Sequence, residues 1–134
     1  MKALTLIQPW ASLILLGEKK IETRSWKTNY RGPIAIHAGK KIDKSVFEDP
    51  FYCDILNKYG ITKDNIVTSA ILGVGILSDI KRTEDLVASI SEKEKKLGTY
   101  TENRYGWFIK EIRELETPLF YKGSLGLWNL NLDL

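Results

Sequence analysis

The stretch from residue 69 to residue 80, SAILGVGILSDI, constrains the fold more than any other part of this chain. Its nearly unbroken apolar character over so short a distance reads as a long strand. Gly73 and Gly75 weaken an ordinary strand but suit a bulge, a barrel bend or a close backbone approach, and the reading adopted is a bend.

The remaining segments fit around such a strand. Residues 3–7 (ALTLI) read as a short buried strand, and Pro9 stands where the first turn of a helix tolerates a missing N–H. Trp10, Leu13 and Ile14 follow at helical spacing, and Gly17 is the natural stop because a positive φ is cheap for glycine. Residues 21–26 and 33–38 read as strands, the second with Ile34 and Ile36 on one face and Ala35 and His37 on the other. Pro50 divides a helical pattern over residues 43–59 into two. Residues 83–97 read as one surface helix capped by Thr83, with acids first and lysines last. Residues 105–115 form another strand, and the alternation of Trp128, Leu130, Leu132 and Leu134 marks a final one. About six strands with three or four helices that do not alternate regularly give a β-dominated α+β class. The expected architecture is a small, partly closed β-barrel with helices inserted in its connections, one domain over residues 1–134.

Composition narrows the function classes. A single cysteine, Cys53, leaves no internal disulfide partner and fits a reducing, cytoplasmic setting. No apolar run approaches the roughly 20 residues that cross a membrane, and Met1-Lys2 leads directly into a strand rather than a signal peptide. One cysteine and one histidine, His37, cannot furnish a zinc site, so no metal site is assigned; a divalent cation held by oxygen ligands stays open. There is no P-loop, no G-x-S-x-G elbow and no G-x-G-x-x-G opening a helix. The net charge of +3 is small, but residues 1–46 hold nine basic side chains against three acidic ones. That asymmetry is a candidate footprint for a phosphate backbone, or simply a solvated face.

The densest polar constellation is residues 17–31, GEKKIETRSWKTNYR. On a strand, Glu22 and Arg24 share one face and Thr23 turns to the other, with Lys19 close enough to join the first pair. A lysine, a carboxylate and an arginine on one wall can bind an anion, or the carboxylate can tune the lysine as a base; an ion-pair cluster on the barrel rim is the plain alternative. Trp26 and Tyr30 interleave with Arg24 and Arg31, the combination with which single-stranded nucleic acids are stacked and neutralised. His37 is a further candidate acid or base, or a packed structural histidine.

The ordered blocks L-x-Q-P-W (Leu6 to Trp10), G-x-K-x-x-E-x-R (Gly17 to Arg24), Y-R-G-P-I-A-I-H-A (Tyr30 to Ala38), Y-G-W (Tyr105 to Trp107) and K-G-x-x-G-L-W (Lys122 to Trp128) resemble the ASCH domain family. The resemblance implies a PUA-like β-barrel that binds single-stranded RNA or a modified nucleobase. The cleft would lie beside Lys19, Glu22, Arg24, Trp26, Tyr30 and Arg31. Some small bacterial members hydrolyse the acetyl amide of N4-acetylcytidine, and others cleave RNA. The alternative the family implies is therefore an N4-acetylcytidine amidohydrolase or a metal-dependent ribonuclease, using Lys19 with Glu22. Lys19 matches the amidohydrolase lysine, Glu22 stands where those relatives carry threonine, and their separate glutamate corresponds to Glu84, Glu92 or Glu94.

Overall fold

Alternating apolar residues and well-placed prolines set the order of elements in a computed structural model that describes all residues, Met1–Leu134. The chain runs β1 (Lys2–Gln8), α1 (Trp10–Leu15), β2 (Ile21–Arg24), β3 (Gly32–Ile42), a 3-10 turn (Lys44–Glu48), α2 (Pro50–Asn57), β4 (Ala70–Arg82), α3 (Thr83–Leu86), α4 (Glu92–Lys96), β5 (Tyr105–Phe120) and β6 (Leu127–Asn129). No helix is long and apolar enough to cross a membrane, and Cys53 is a free thiol.

All six strands join one mixed sheet in the order β2-β5-β4-β3-β1-β6, with β1 parallel to β3 and the other pairs antiparallel. The alternation in β3 sorts the core as expected. Ile34, Ile36 and Ala38 pack with α1 residues Ala11, Ile14 and Leu15 and with Leu4, Leu6, Leu77 and Trp107, while Ala35 joins Ala3, Ile71 and Leu130 on the opposite face. A third cluster, Leu13, Ile55, Leu56 and Leu97, ties α1 to α2 and to the end of α4.

The β-dominated α+β class holds, but the sheet does not close by hydrogen bonds: β2 and β6 are its edges. It nevertheless curls far enough that Arg24 on β2 reaches the carbonyl of Thr5 on β1 at 3.5 Å, although three strands separate them in the sheet. The edge strands have four and three residues and do not pair with each other, so side chains rather than a ladder occupy the gap. The bend expected at Gly73 and Gly75 coincides with breaks in the β4–β5 register on either side of them. A Cβ on Gly73 would lie 2.2 Å from Leu15 Cδ1 and 2.6 Å from the Arg113 carbonyl, so close approach of α1 and β5 explains this glycine.

Two helical expectations change. Residues 83–97 are not one helix, because the chain breaks after α3 and restarts with Ser91, whose hydroxyl accepts the Glu94 N–H. Thr83 is not a cap: it is fully buried and its hydroxyl donates to the Thr101 carbonyl. The last strand is also shorter than the alternation predicts, because only Leu127–Asn129 finds a partner in β1.

Candidate nucleic-acid interface

The gap between the two ends of the curled sheet is a cleft of about 1020 Å³, lined by β2, the end of β1, the segment after α4 and the turn before β6. Gly17 directs the chain into it. With φ at +75° it ends α1, and the Glu18 and Lys19 amides turn back onto the Leu13 carbonyl at 3.1 and 3.0 Å. Lys19 is thereby led inward and is only 2% exposed. Its ammonium donates to the Leu97 carbonyl, lies 3.7 Å from Glu22 Oε1 and stands 5.6 Å from the centre of the Trp10 ring. Burial pushes the Lys19 pKa below its ordinary value; Glu22 and Glu94 oppose that shift, and Arg104 adds to it.

Glu22 bridges two cations. Its other oxygen accepts from Arg24 Nη1 at 3.0 Å, so the predicted wall of Lys19, Glu22 and Arg24 exists. The Arg24 guanidinium sits 5.1 Å from the centre of the Trp26 ring, and Trp26 is half-buried, edge-on to Trp107 at 4.9 Å. Tyr30 and Arg31, by contrast, do not line the cleft. The Tyr30 ring packs against the main core with its hydroxyl donating to the Pro33 carbonyl, and Arg31 Nη1 donates to the Thr28 and Tyr30 carbonyls at 2.8 Å each. Both belong to the β2–β3 turn, which points the guanidinium back at its own loop.

Of the three glutamates the sequence leaves open, only Glu94 reaches this region. Glu84 and Glu92 pair at the surface with Arg82 and Lys95. The buried Glu94 carboxylate accepts from the Lys20 amide at 3.1 and 3.2 Å and from the Ile21 amide at 3.3 Å. It therefore fixes the start of β2 beside Lys19 rather than facing a ligand.

A family model described as "ASCH domain" matches residues 4–119. The chain belongs to the ASCH domain family. Human activating signal cointegrator 1 is 28% identical over 135 residues, covering 96% of this chain but 22% of that protein, so the chain spans about a fifth of that relative. The crystal structure of ASCH from Zymomonas mobilis aligns with a TM-score of 0.59 at 14% identity, covering 97% of this chain and 87% of that one. A tyrosine-to-phenylalanine mutant of the same bacterial protein aligns with the same TM-score and identity, covering 97% and 89%. At that identity the two structures speak for the fold alone.

This ASCH domain brings to the cleft several residues that sequence reasoning missed. Lys96, Arg104 and Lys122 come from the second half of the chain; they join Lys40 and Lys41 at the end of β3, which belong to the basic stretch over residues 1–46. The facing carboxylates are Glu22 and Asp43. Tyr52 adds an aromatic wall edge-on to Trp10 at 5.8 Å, held by its hydroxyl on the Lys96 carbonyl at 2.7 Å. His37 also borders the cleft but is 3% exposed, with its ring nitrogens 3.0 Å from Thr5 Oγ1 and 2.7 Å from the Tyr121 carbonyl. Thr5 in turn donates to the Ser124 carbonyl and accepts from Trp128 Nε1. These bonds anchor the turn over residues 121–126, making His37 a packed histidine that holds one wall in place.

Proposed function

We propose that this ASCH domain binds single-stranded RNA, or a modified nucleobase carried by it, in the cleft beside Lys19. One observation carries the reading: seven basic side chains from distant parts of the chain line a single cleft against two carboxylates, with Trp10, Trp26 and Tyr52 among them. Cations that follow phosphates and aromatic faces that stack on bases are the two parts of single-strand recognition. At the floor, the Lys19 ammonium can donate to a base carbonyl, and Glu22 can accept from an exocyclic amine. Arg24 and the lysines nearer the mouth meet the backbone, and Trp26 offers a face for stacking. Tyr30 and Arg31 have no part in it.

The test is retention of labelled single-stranded RNA across a salt series. The parent protein should bind, with affinity falling as salt rises. A Lys19→Ala/Arg24→Ala double variant that kept full affinity and the same salt dependence would sink the proposal.

A second reading is favoured by the burial of Lys19. An amine whose pKa is depressed is a better proton acceptor near neutral pH, which suits amide hydrolysis with Glu22 orienting the group. Release of acetate from N4-acetylcytidine, lost in Lys19→Ala, would establish it. The ribonuclease version finds no support in the donor set, since no group of three or more His, Cys, Asp or Glu side chains is placed to hold a metal ion.

A further inference from the structure

The cleft has an unbalanced set of cations near its floor. Lys19 and Arg24 flank Glu22, Arg104 lines the same cleft close enough to act on the Lys19 charge, and the one other carboxylate that acts on Lys19, Glu94, is already engaged by two backbone amides. Arg104 is weakly held. Its Nη2 donates to the Thr23 carbonyl at 3.4 Å, and its Nε–H is buried without an acceptor. Arg24 shares this condition: Nη1 serves Glu22 and Thr5, while Nε–H is buried and unpartnered. The third buried polar atom of this kind, the Tyr100 hydroxyl, does not line the cleft.

The two arginines come from the same end of the β2–β5 pair. Both line the cleft: Arg104 directly precedes Tyr105, the partner of Arg24 in the β2–β5 ladder, and its Nη2 reaches the carbonyl of Thr23, the residue before Arg24. Exposure separates the floor from the arginines: the Lys19 side chain is 2% exposed and that of Arg24 18%, and Arg104, like Arg24, is partly exposed. A planar guanidinium has five donors, and two lining one cleft with unused N–H groups suit the oxygens of a phosphate, which takes paired N–H···O bonds.

We propose that Arg104 and Arg24 form a phosphate subsite, so that the ligand of this cleft is a nucleotide and not a free nucleoside. This rests on the nucleobase reading above and adds to it the group that discriminates. Lys19 and Glu22 face the base at the floor, and the arginine pair holds the phosphate attached to that base's ribose, nearer the mouth. Arg104 is then a specificity residue that no local sequence motif marks.

The experiment measures binding of the four ribonucleosides, their 5′- and 3′-monophosphates and the matching dinucleoside monophosphates at low salt. At least one phosphorylated form should bind tenfold or more tightly than its nucleoside. The form that gains identifies the phosphate as 5′-terminal, 3′-terminal or internal. Arg104→Gln should reduce that advantage to less than threefold, whereas Lys63→Gln, an exposed lysine outside the cleft, should retain it. If Arg104→Gln fails to fold, Arg104→Lys decides: a threefold or larger drop supports paired recognition by the guanidinium, and no drop overturns it. Equal binding of nucleoside and every phosphorylated form overturns the subsite while leaving the nucleobase reading intact. An advantage that survives Arg104→Gln also overturns it. Absence of binding by any of these ligands removes both proposals together.

Discussion

Glu18 and Lys19 are consecutive, both charged and both tied to the same stretch around α4, yet they sit in opposite environments. Glu18 faces out, accepting from Lys93 Nζ at 2.8 Å, Tyr59 Oη at 2.8 Å and Lys58 Nζ at 3.4 Å, with both lysines about half exposed. Lys19 faces in, on the Leu97 carbonyl and beside Glu22. The outer network works in high dielectric, where water competes for each charge and ion pairs contribute little. In the inner one every charge has lost water, so it holds only while its partners are present. The outer cluster thus fastens α2 and α4 to the end of α1. The inner one keeps charge in a cleft where packing alone would favour apolar residues.

The largest expected effect breaks the inner network. Glu22→Gln leaves the Lys19 ammonium without its neutralising carboxylate and should destabilise the fold by about 3 kcal/mol in urea unfolding. Replacing Lys19→Met together with Glu22→Leu removes the buried ammonium and leaves only Arg24, whose side chain is 18% exposed, without its carboxylate, so it should recover part of that loss, while RNA retention disappears. Recovery of stability without loss of binding would show that the inner network is structural only. By contrast, Glu18→Gln should cost no more than about 1 kcal/mol, discounted for the exposure of its partners, and leave RNA affinity unaltered.

The two residues also separate by pH. Glu18 has its pKa drawn down to about 2 by Lys93 first and Tyr59 next, so its contribution is complete above the ordinary 4.5 and is lost as pH falls towards 2. The Lys19 pKa is lowered by burial, so the unfolded chain holds a proton that the folded one releases earlier. Its contribution is fully present above about 10.5 and is lost as pH falls through the depressed value. Chemical denaturation across pH should therefore show an acid limb flattened by Glu18→Gln and an alkaline rise flattened by Lys19→Met. An alkaline rise unchanged in Lys19→Met would contradict the burial assigned to this amine.

The inner network was legible because it is local. Glu22 and Arg24 share a strand face by the two-residue period, and Gly17 announces the turn that delivers Lys19. The rest of the cleft was not, for physical reasons that differ by residue. Arg104 and Lys122 lie 85 and 103 positions beyond Lys19, and only the pairing of β2 with β5 and the turn before β6 bring them near. Tyr30 and Arg31 looked equivalent to Trp26 in composition, yet a three-residue reach to Pro33 and Thr28 satisfies them within their own turn. The 83–97 helix failed because Ser91 offers a new cap in mid-pattern, which charge order alone does not reveal. The sheet edges were likewise hidden, since which strands are left without a second neighbour depends on pairing between residues far apart in the chain.

The smallest effect on stability concerns the rim, and it sharpens the comparison by adding charge that neither packs nor pairs. Lys40 and Lys41 are exposed, line the cleft and form no ion pair, unlike either Glu18 or Lys19. Converting both to glutamine should change folding stability by less than about 0.5 kcal/mol. If they track the phosphates of a single strand, each contributes roughly 0.7 to the slope of log affinity against log salt, so the double variant should flatten it by up to about 1.4. Affinity should fall for all sequences alike, because phosphate contacts position a strand without reading it. An unchanged salt slope would place the strand's path away from β3 and leave the mouth to Lys96, Arg104 and Lys122.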